Sequence, residues 1–309
     1  MKGLLKTLGA IILGAALLAG ILGGCTSAPT TLTNFTITDF KGRVVAIKNN
    51  HPVKIVSLAP SNTEILFALG LADRMVGVTD YCDYPPEAKT KPSVGSYDTP
   101  NIETIVGMAP DLILADIAQS DEIYQQLENR GLTVVAIIPH SLDEVLETIT
   151  LIGKITGQDN EAAVIVTDMQ KRIDAITKKT SQLTEAQKSR AFYIIWSDPI
   201  WTTGNGTFED ALLQIAGGKN IAHGQNSYIT MSLETIIDAN PQVMIAGVGM
   251  GTGEDVPFQF IKNEPRLAST DARVNGRIYS FDMNIIARPG PRIVDALEQL
   301  FQLLHPELK

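Results

Sequence analysis

Apolar residues recur along this chain in two rhythms that keep exchanging places. Residues 35–47, FTITDFKGRVVAI, alternate apolar with polar and turn at Lys41–Gly42, which predicts a small β-hairpin. KIVSLA (54–59) is a short β-rich run ended by Pro60. Ser61-Asn-Thr-Glu64 then has the spacing of a helix capping box ahead of ILFALG, with Gly70 as the stop. RMVGVT (74–79) predicts the next strand, YCDYPPEAK a loop, IETIVGM a short helix broken before Pro110, and DLILA a buried strand. DEIYQQLENRG predicts a helix closing on Gly131, and LTVVAII another strand. Strands alternating with helices predict a parallel α/β unit.

From about Ser141 to Lys188 the pattern is helical throughout: LDEVLETITLIGKITG as one helix, then the longer NEAAVIVTDMQKRIDAITKKT. The alternation resumes with RAFYIIW (190–196) as a strand and TTGNG as a loop. Thr207-Phe-Glu-Asp210 repeats the capping-box spacing before the helix ALLQIAGG. LETIIDA, a break at Pro241, and QVMIAG follow; GRIYSFD (276–282) is a strand and PRIVDALEQLFQLLH the last helix.

One unit is spelled twice. ETIVGMAPDLILA (103–115) returns as ETIIDANPQVMIA (234–246), and each copy follows a helix opened by a hydroxyl residue three positions before an acid. Two helix–Pro–strand units of similar sequence can arise by chance. The shared order instead predicts two similar α/β lobes, each with a mostly parallel sheet, joined by one long helix, with a ligand cleft between them. The expected boundaries are an N-terminal lobe over 35–140, a bridge over 141–189 and a C-terminal lobe over 190–309.

The start of the chain reads differently. Lys2 and Lys6 precede an apolar run from Leu8 to Leu22 that ends in small residues before Cys25, the grammar of an export signal over 1–24. The run is shorter than the roughly 20 apolar residues of a spanning helix. Leu22-Gly-Gly-Cys25 resembles the lipobox of bacterial lipoproteins, which implies that Cys25 becomes a lipidated N-terminus; the alternative is an ordinary signal with a chance cysteine. TSAPTTLT within 25–34 then reads as a tether. The expectation is an exported body held at the outer face of the cytoplasmic membrane through lipid alone.

Charge narrows the partners. The 309-residue chain carries 25 basic and 34 acidic residues, a net charge of −9, and loses two lysines with the signal. An acidic body is a poor fit to nucleic acid or to anionic lipid. Cys82 is the one cysteine left after Cys25, so no internal disulfide or cysteine-rich zinc site forms; it is expected to be buried or to face the cleft.

An enzyme needs a constellation that this chain does not spell. His51, His140, His223 and His305 are scattered, with no HExxH pair and no GxSxG elbow. GVGMGTG (247–253) follows a strand, but its glycines miss the dinucleotide register, and it reads as cleft rim. No catalytic residue, metal site or cofactor is expected.

At KIVSLAPSNTEILFALGLADRMVGVTDYCDYPPEAK the sequence resembles the cobalamin- and siderophore-binding proteins of ABC importers, whose two lobes are bridged by a single long helix. DFKGRVVAI, TTGNGTFEDALLQIAGG and ARPGPRIVDALEQL extend the resemblance over about Asp39 to His305. It implies capture of a large preformed ligand and delivery to a permease dimer powered by a cytoplasmic ATPase, with no chemistry on the ligand and a monomeric receptor. It is most like the cobalamin binders, and few Lys or Arg fall in the predicted loops, so a corrinoid is the expected ligand. A ferric siderophore or haem is the alternative cargo, and a lipoprotein enzyme acting on a tetrapyrrole is the reading from another class.

The resemblance also implies site residues. Tyr81 and Tyr97 match cleft aromatic positions, and Trp201, on the loop before TTGNG, is the candidate for the opposite wall; Trp196 fits core packing at a strand end. Asp282 and Arg288 match a segment that lends an acid and a base to the ligand, although Met283 stands where an aromatic is expected; Arg292 reads as structural. Glu64, with Glu209 or Asp210 from the second lobe, matches surface acids that meet permease arginines, and Glu64 and Asp210 also fit as capping-box acids at the third helical position. His223 or Met250 could serve as an axial donor to a metal centre in the ligand.

Overall fold

The computed structural model describes residues 34–48, 51–249 and 255–308. The signal, Cys25, nearly all of the tether, Met250 and the rest of the glycine-rich rim up to residue 254 lie outside the described residues. No helix among the described residues is long and apolar enough to cross a membrane.

The chain opens with the predicted hairpin, β1 (Phe35–Thr38) and β2 (Val44–Ile47), paired antiparallel around Gly42 at φ 73°. The hairpin docks on the first lobe: the Asp39 carboxylate accepts the Ala136 amide at 3.1 Å, and the Phe40 amide donates to the Ala136 carbonyl at 3.2 Å. The contact covers a sheet edge that would otherwise present unpaired backbone.

That first sheet holds β3 (Ile55–Ser57), β4 (Met75–Val78), β5 (Leu112–Ala115) and β6 (Val134–Ala136) in the order β4-β3-β5-β6, all parallel. Its strands are continuous apolar runs because helices cover both faces. On one face lie α2 (Ile102–Met108) and α3 (Asp121–Asn129), which close Val56, Ile113, Ile105 and Leu127 into one cluster. On the other lie α1 (Pro60–Ala68) and α4 (Leu142–Thr156). The capping box at Ser61–Glu64 does not form. The helix starts at Pro60, which needs no backbone donor at N1, and its N-cap is Ala59 without a side-chain cap.

α4 and α5 (Asp159–Thr180) make the bridge, separated by Gly157 in the left-handed conformation at φ 71°. The 22 residues of α5 span about 33 Å. A single apolar cluster runs from Ile55 and Leu66 through Ile149, Met169 and Ile176 to Tyr193 and Leu297, so the core passes from one sheet to the other without a break.

The second sheet is built on β7 (Ser189–Ser197), the longest strand. It pairs in parallel with β9 (Gly218–Asn220) and β11 (Val243–Val248), and β12 (Ile278–Asp282) lies parallel outside β11. β8 (Ile200–Thr203) folds back antiparallel on β7, and β10 (Tyr228–Thr230) pairs with β8. The predicted loop around Trp201 is therefore a strand: IWTT is too short to show a rhythm, and the glycines behind it signal a loop. α6 (Phe208–Ile215), α7 (Leu233–Ala239), α8 (Val256–Asn263), α9 (Asp271–Val274), α10 (Met283–Ile286) and α11 (Ile293–Leu304) complete the lobe. Gly247 on β11 is fixed by close approach, since a Cβ there would sit 2.8 Å from the Met283 side chain and 2.9 Å from the Tyr193 hydroxyl.

The repeated unit takes the same form twice. Asn101 caps α2 by accepting the Thr104 amide, and Ser232 caps α7 by accepting the Thr235 amide. Each helix then stops on a left-handed residue, Ala109 at φ 47° and Asn240 at φ 43°, before Pro110 or Pro241 and a buried strand.

Candidate ligand-binding cleft

Residues just past the carboxyl ends of first-sheet strands meet residues of the second lobe at one cavity of about 460 Å³. Pro60 and Ser61 follow β3, Tyr81 follows β4, and Asp116 follows β5; Ser96, Tyr97 and Asp98 come from the loop before α2. The second lobe contributes Ala287, Arg288 and Pro289, which follow α10. This is where parallel α/β sheets place their ligands, and the volume falls in the range of small-molecule sites.

Three of the expected ligand residues, Tyr81, Tyr97 and Arg288, converge here. Tyr81 is 57% exposed, an unusually bare ring for its size, and offers a flat apolar shelf at the rim. Tyr97 is held from both ends. Its hydroxyl donates to Asp116 Oδ1 at 2.8 Å, and its carbonyl accepts from the Gln119 amide group. Burial first, then the neighbouring Asp116 charge, pushes the Tyr97 phenol far up, so it stays a donor.

Arg288 is buried and already neutralised. Its Nη1 lies 2.5 Å from Asp83 Oδ1 and 3.7 Å from Glu64 Oε1. Burial works against the Asp83 carboxylate, yet the Arg288 hydrogen bond and charge hold it below its ordinary range. Arg288 Nε is buried with no acceptor among the described residues.

Asp282 and Trp201 do not line the cavity. Asp282 caps α10, accepting the Asn284 amide at 2.8 Å and its side-chain amide at 2.9 Å. Trp201 on β8 stands opposite Trp196 on β7, at the carboxyl end of that strand. The two rings are 39% and 38% exposed, so Trp196 is not the core residue its strand-end position predicted. The pair places two partly exposed indoles side by side at the carboxyl end of β7.

The three acids expected on the outer surface are all buried, each held inside the molecule. Glu64 receives Arg292 in a fork, Nε at 2.8 Å and Nη2 at 2.5 Å, with the Tyr84 ring stacked 3.7 Å from the guanidinium. Burial raises the Glu64 carboxyl, and Arg292 and Arg288 only partly offset it. Glu209 is buried on α6 beside Tyr228, with Oε2 unpartnered among the described residues, and burial pushes its carboxyl up to about 7. Asp210 is held by Asn220 Nδ2 at 2.8 Å and His223 Nδ1 at 2.9 Å. Glu64 is also the fifth residue of its helix rather than the third, whereas Asp210 donates its amide to the cap residue Thr207 as expected. Cys82 is buried among Thr63 and Thr79, which fits the buried reading, and burial raises its thiol.

Asp116 is the buried acid in the cavity wall that the sequence did not flag. It is buried behind Tyr97, its backbone amide donates to Gln119 Oε1 at 2.6 Å, and its carbonyl accepts the Tyr124 hydroxyl at 3.0 Å. Burial raises its carboxyl; the Tyr97 hydrogen bond opposes that rise. Among the described residues it has no arginine or lysine partner. An acid directly behind a continuous apolar strand, LILA-Asp116, was the available signal.

Comparison with known proteins places this architecture. Residues 55–284 match the periplasmic binding protein family. An uncharacterized ABC transporter substrate-binding lipoprotein of Bacillus subtilis (strain 168) is 31% identical, with 96% of each chain covered. The crystal structure of the periplasmic vitamin B12 binding protein of Vibrio cholerae superposes with a TM-score of 0.70 at 28% identity, covering 84% of this chain and 98% of that one. A periplasmic haem-binding protein from Roseiflexus sp. RS-1, in apo form, gives 0.73 at 27% identity, covering 83% and 99%. The two-lobed α/β fold, the cleft between the sheets and the match over most of its length make this chain a member of the periplasmic binding protein family, the substrate-binding components of ABC importers of the cobalamin, siderophore and haem type.

Proposed function

We propose that the chain captures a corrinoid, cobalamin foremost, in the cleft and passes it unchanged to a permease dimer driven by a cytoplasmic ATPase. In this reading Tyr81 and Tyr97 form the shelf on one lobe, Trp196 and Trp201 a wall on the other, and Arg288 the polar floor. Lipid on Cys25 would hold the receptor at the outer face of the cytoplasmic membrane.

Similarity alone does not separate corrinoid from haem, since the two solved relatives are almost equally like this chain. The observation that favours a corrinoid is electrostatic. The one arginine in the cavity wall is neutralised by Asp83, while Asp98 and Asp116 add negative charge to the same wall. A ferric siderophore complex or the propionates of haem would meet no unpaired arginine or lysine there among the described residues. The amide-rimmed face of a corrinoid is neutral, and flat rings bind it with large area and little entropy loss. The continuous core through α4 and α5 leaves the lobes little freedom to close, which suits a rigid, preformed ligand.

Both tryptophans of the chain lie opposite each other on β7 and β8, so in this reading intrinsic emission reports on the second-lobe wall that the ligand would meet. Cyanocobalamin, which absorbs in that region, is expected to quench it saturably at one ligand per chain. Quenching by haem with none by cyanocobalamin would reverse the assignment of cargo.

A further inference from the structure

We infer that Asp116, held in place by Tyr97, sets the charge of the ligand this cleft accepts: it takes an N–H donor from the ligand rim and turns away a carboxylate at the same point. The inference rests on the tetrapyrrole reading of the cleft and names a determinant within it.

The geometry is that of a built site rather than a stray surface acid. Asp116 lines the cavity, yet is 6% exposed. Oδ1 is committed to the Tyr97 hydroxyl at 2.8 Å and the Ala118 amide at 3.3 Å. Among the described residues, Oδ2 takes no side-chain donor, and it is not sealed among the buried unpartnered atoms. The backbone on either side is fixed by Gln119 and by Tyr124, and Tyr124 is in turn covered by Arg43, whose guanidinium lies 4.7 Å from the ring centre.

Burying a carboxylate without a cation is costly in general, and an asparagine of the same shape would satisfy Tyr97 at lower cost. A carboxylate kept at such a position in a cleft is a candidate for ligand recognition. What the ligand must supply follows from what Asp116 lacks: a polarised N–H, such as a primary amide, or a positive charge. A ligand carboxylate at the same place would set two acceptors of like charge against each other; among the described residues Asp116 has no arginine or lysine ion pair, His140 acts on it only at a distance, and Arg288 in the same wall is already paired with Asp83.

The test compares ligands that differ by one group, titrated calorimetrically into the full-length chain in detergent and into Asp116→Asn. The first pair is cyanocobalamin and its separate monocarboxylic acids, in each of which one rim amide is hydrolysed. The wild-type protein is expected to prefer the amide over at least one acid isomer by tenfold or more. In Asp116→Asn that preference is expected to fall below threefold, because the new amide donates where the carboxylate accepted. Tyr97→Phe keeps the ring and the charge, and is expected to weaken both ligands while preserving the preference. Thermal unfolding of Asp116→Asn at or above the wild-type midpoint shows that the fold is intact.

A preference absent for every isomer, or unchanged within twofold in Asp116→Asn, overturns the inference. Should cyanocobalamin fail to bind while hemin binds, the corrinoid assignment falls by itself. Hemin and hemin dimethyl ester then serve as the pair: the ester is expected to bind better to wild type and equally to Asp116→Asn, and equal binding to wild type overturns the inference. Binding of neither tetrapyrrole overturns both.

Discussion

Replacing Arg292 by alanine is expected to destabilise the protein by about 4 kcal/mol at pH 7. Arg292 belongs to the second lobe and reaches across to Glu64 on α1 of the first, with two hydrogen bonds of 2.8 and 2.5 Å. The Glu64 side chain is 2% exposed, so the variant leaves a carboxylate out of water with only Arg288 near it, at 3.7 Å. Breaking a buried ion pair from one side costs about 3–5 kcal/mol. Loss of the Tyr84 stack adds about 0.5–2 kcal/mol. Protonation of Glu64 offsets part of this: its carboxyl is already raised by burial, and loses its main opposing partner in the variant. The deficit should therefore shrink as pH falls toward 5.

Urea unfolding followed by far-ultraviolet circular dichroism measures the difference. A cycle with Glu64→Gln and the double variant isolates the pair, with a coupling of at least about 2 kcal/mol expected. A loss below about 1 kcal/mol for Arg292→Ala, with no coupling to Glu64, would refute the view that this contact clamps the lobes beneath the cleft. It would place the pair in the class of exposed surface bridges.

Further predictions concern other sites. Glu209 has a folded value of about 7 against an ordinary 4.5, so the native state holds its proton more tightly than the unfolded chain, and stability attributable to this group is lost as pH rises through 4.5 to beyond 7. Glu209→Gln should gain on the order of 3 kcal/mol relative to wild type between pH 4.5 and pH 8, and parallel stability profiles would contradict this. Ala109→Gly should stabilise by about 0.5–1 kcal/mol in thermal or urea unfolding, because Ala109 sits at φ 47° where only glycine is unstrained. Tyr81→Ala should weaken the bound corrinoid by about 10- to 100-fold through lost ring contact, with an unfolding midpoint near wild type because the ring is already exposed.

The sequence made the parallel core legible because buried strands are written as unbroken apolar runs, and DLILA and QVMIAG each appear where expected. The repeated unit was legible down to its stop signals, since a proline after the helix leaves few conformations open. Short antiparallel strands were not: β8 is four residues with no room for a period, and its glycine neighbours signal a loop. Tyr81, Tyr97 and Arg288, singled out by motif, do line the cavity. Asp116 was missed because only the fold shows that the residue after β5 faces the second lobe rather than solvent. The surface exposure expected of the three acids failed for the same reason. Glu64, Glu209 and Asp210 are polar near helix starts, and nothing local shows that Arg292, Tyr228 and His223 are folded onto them.

Whether the cleft holds a corrinoid is tested most directly by calorimetric titration of the full-length chain with cyanocobalamin, with hemin titrated in parallel. One-to-one binding of cyanocobalamin at micromolar affinity or tighter, and at least tenfold tighter than hemin, is the predicted result. A folded protein that gives no heat with cyanocobalamin, or that binds hemin more tightly, would contradict it.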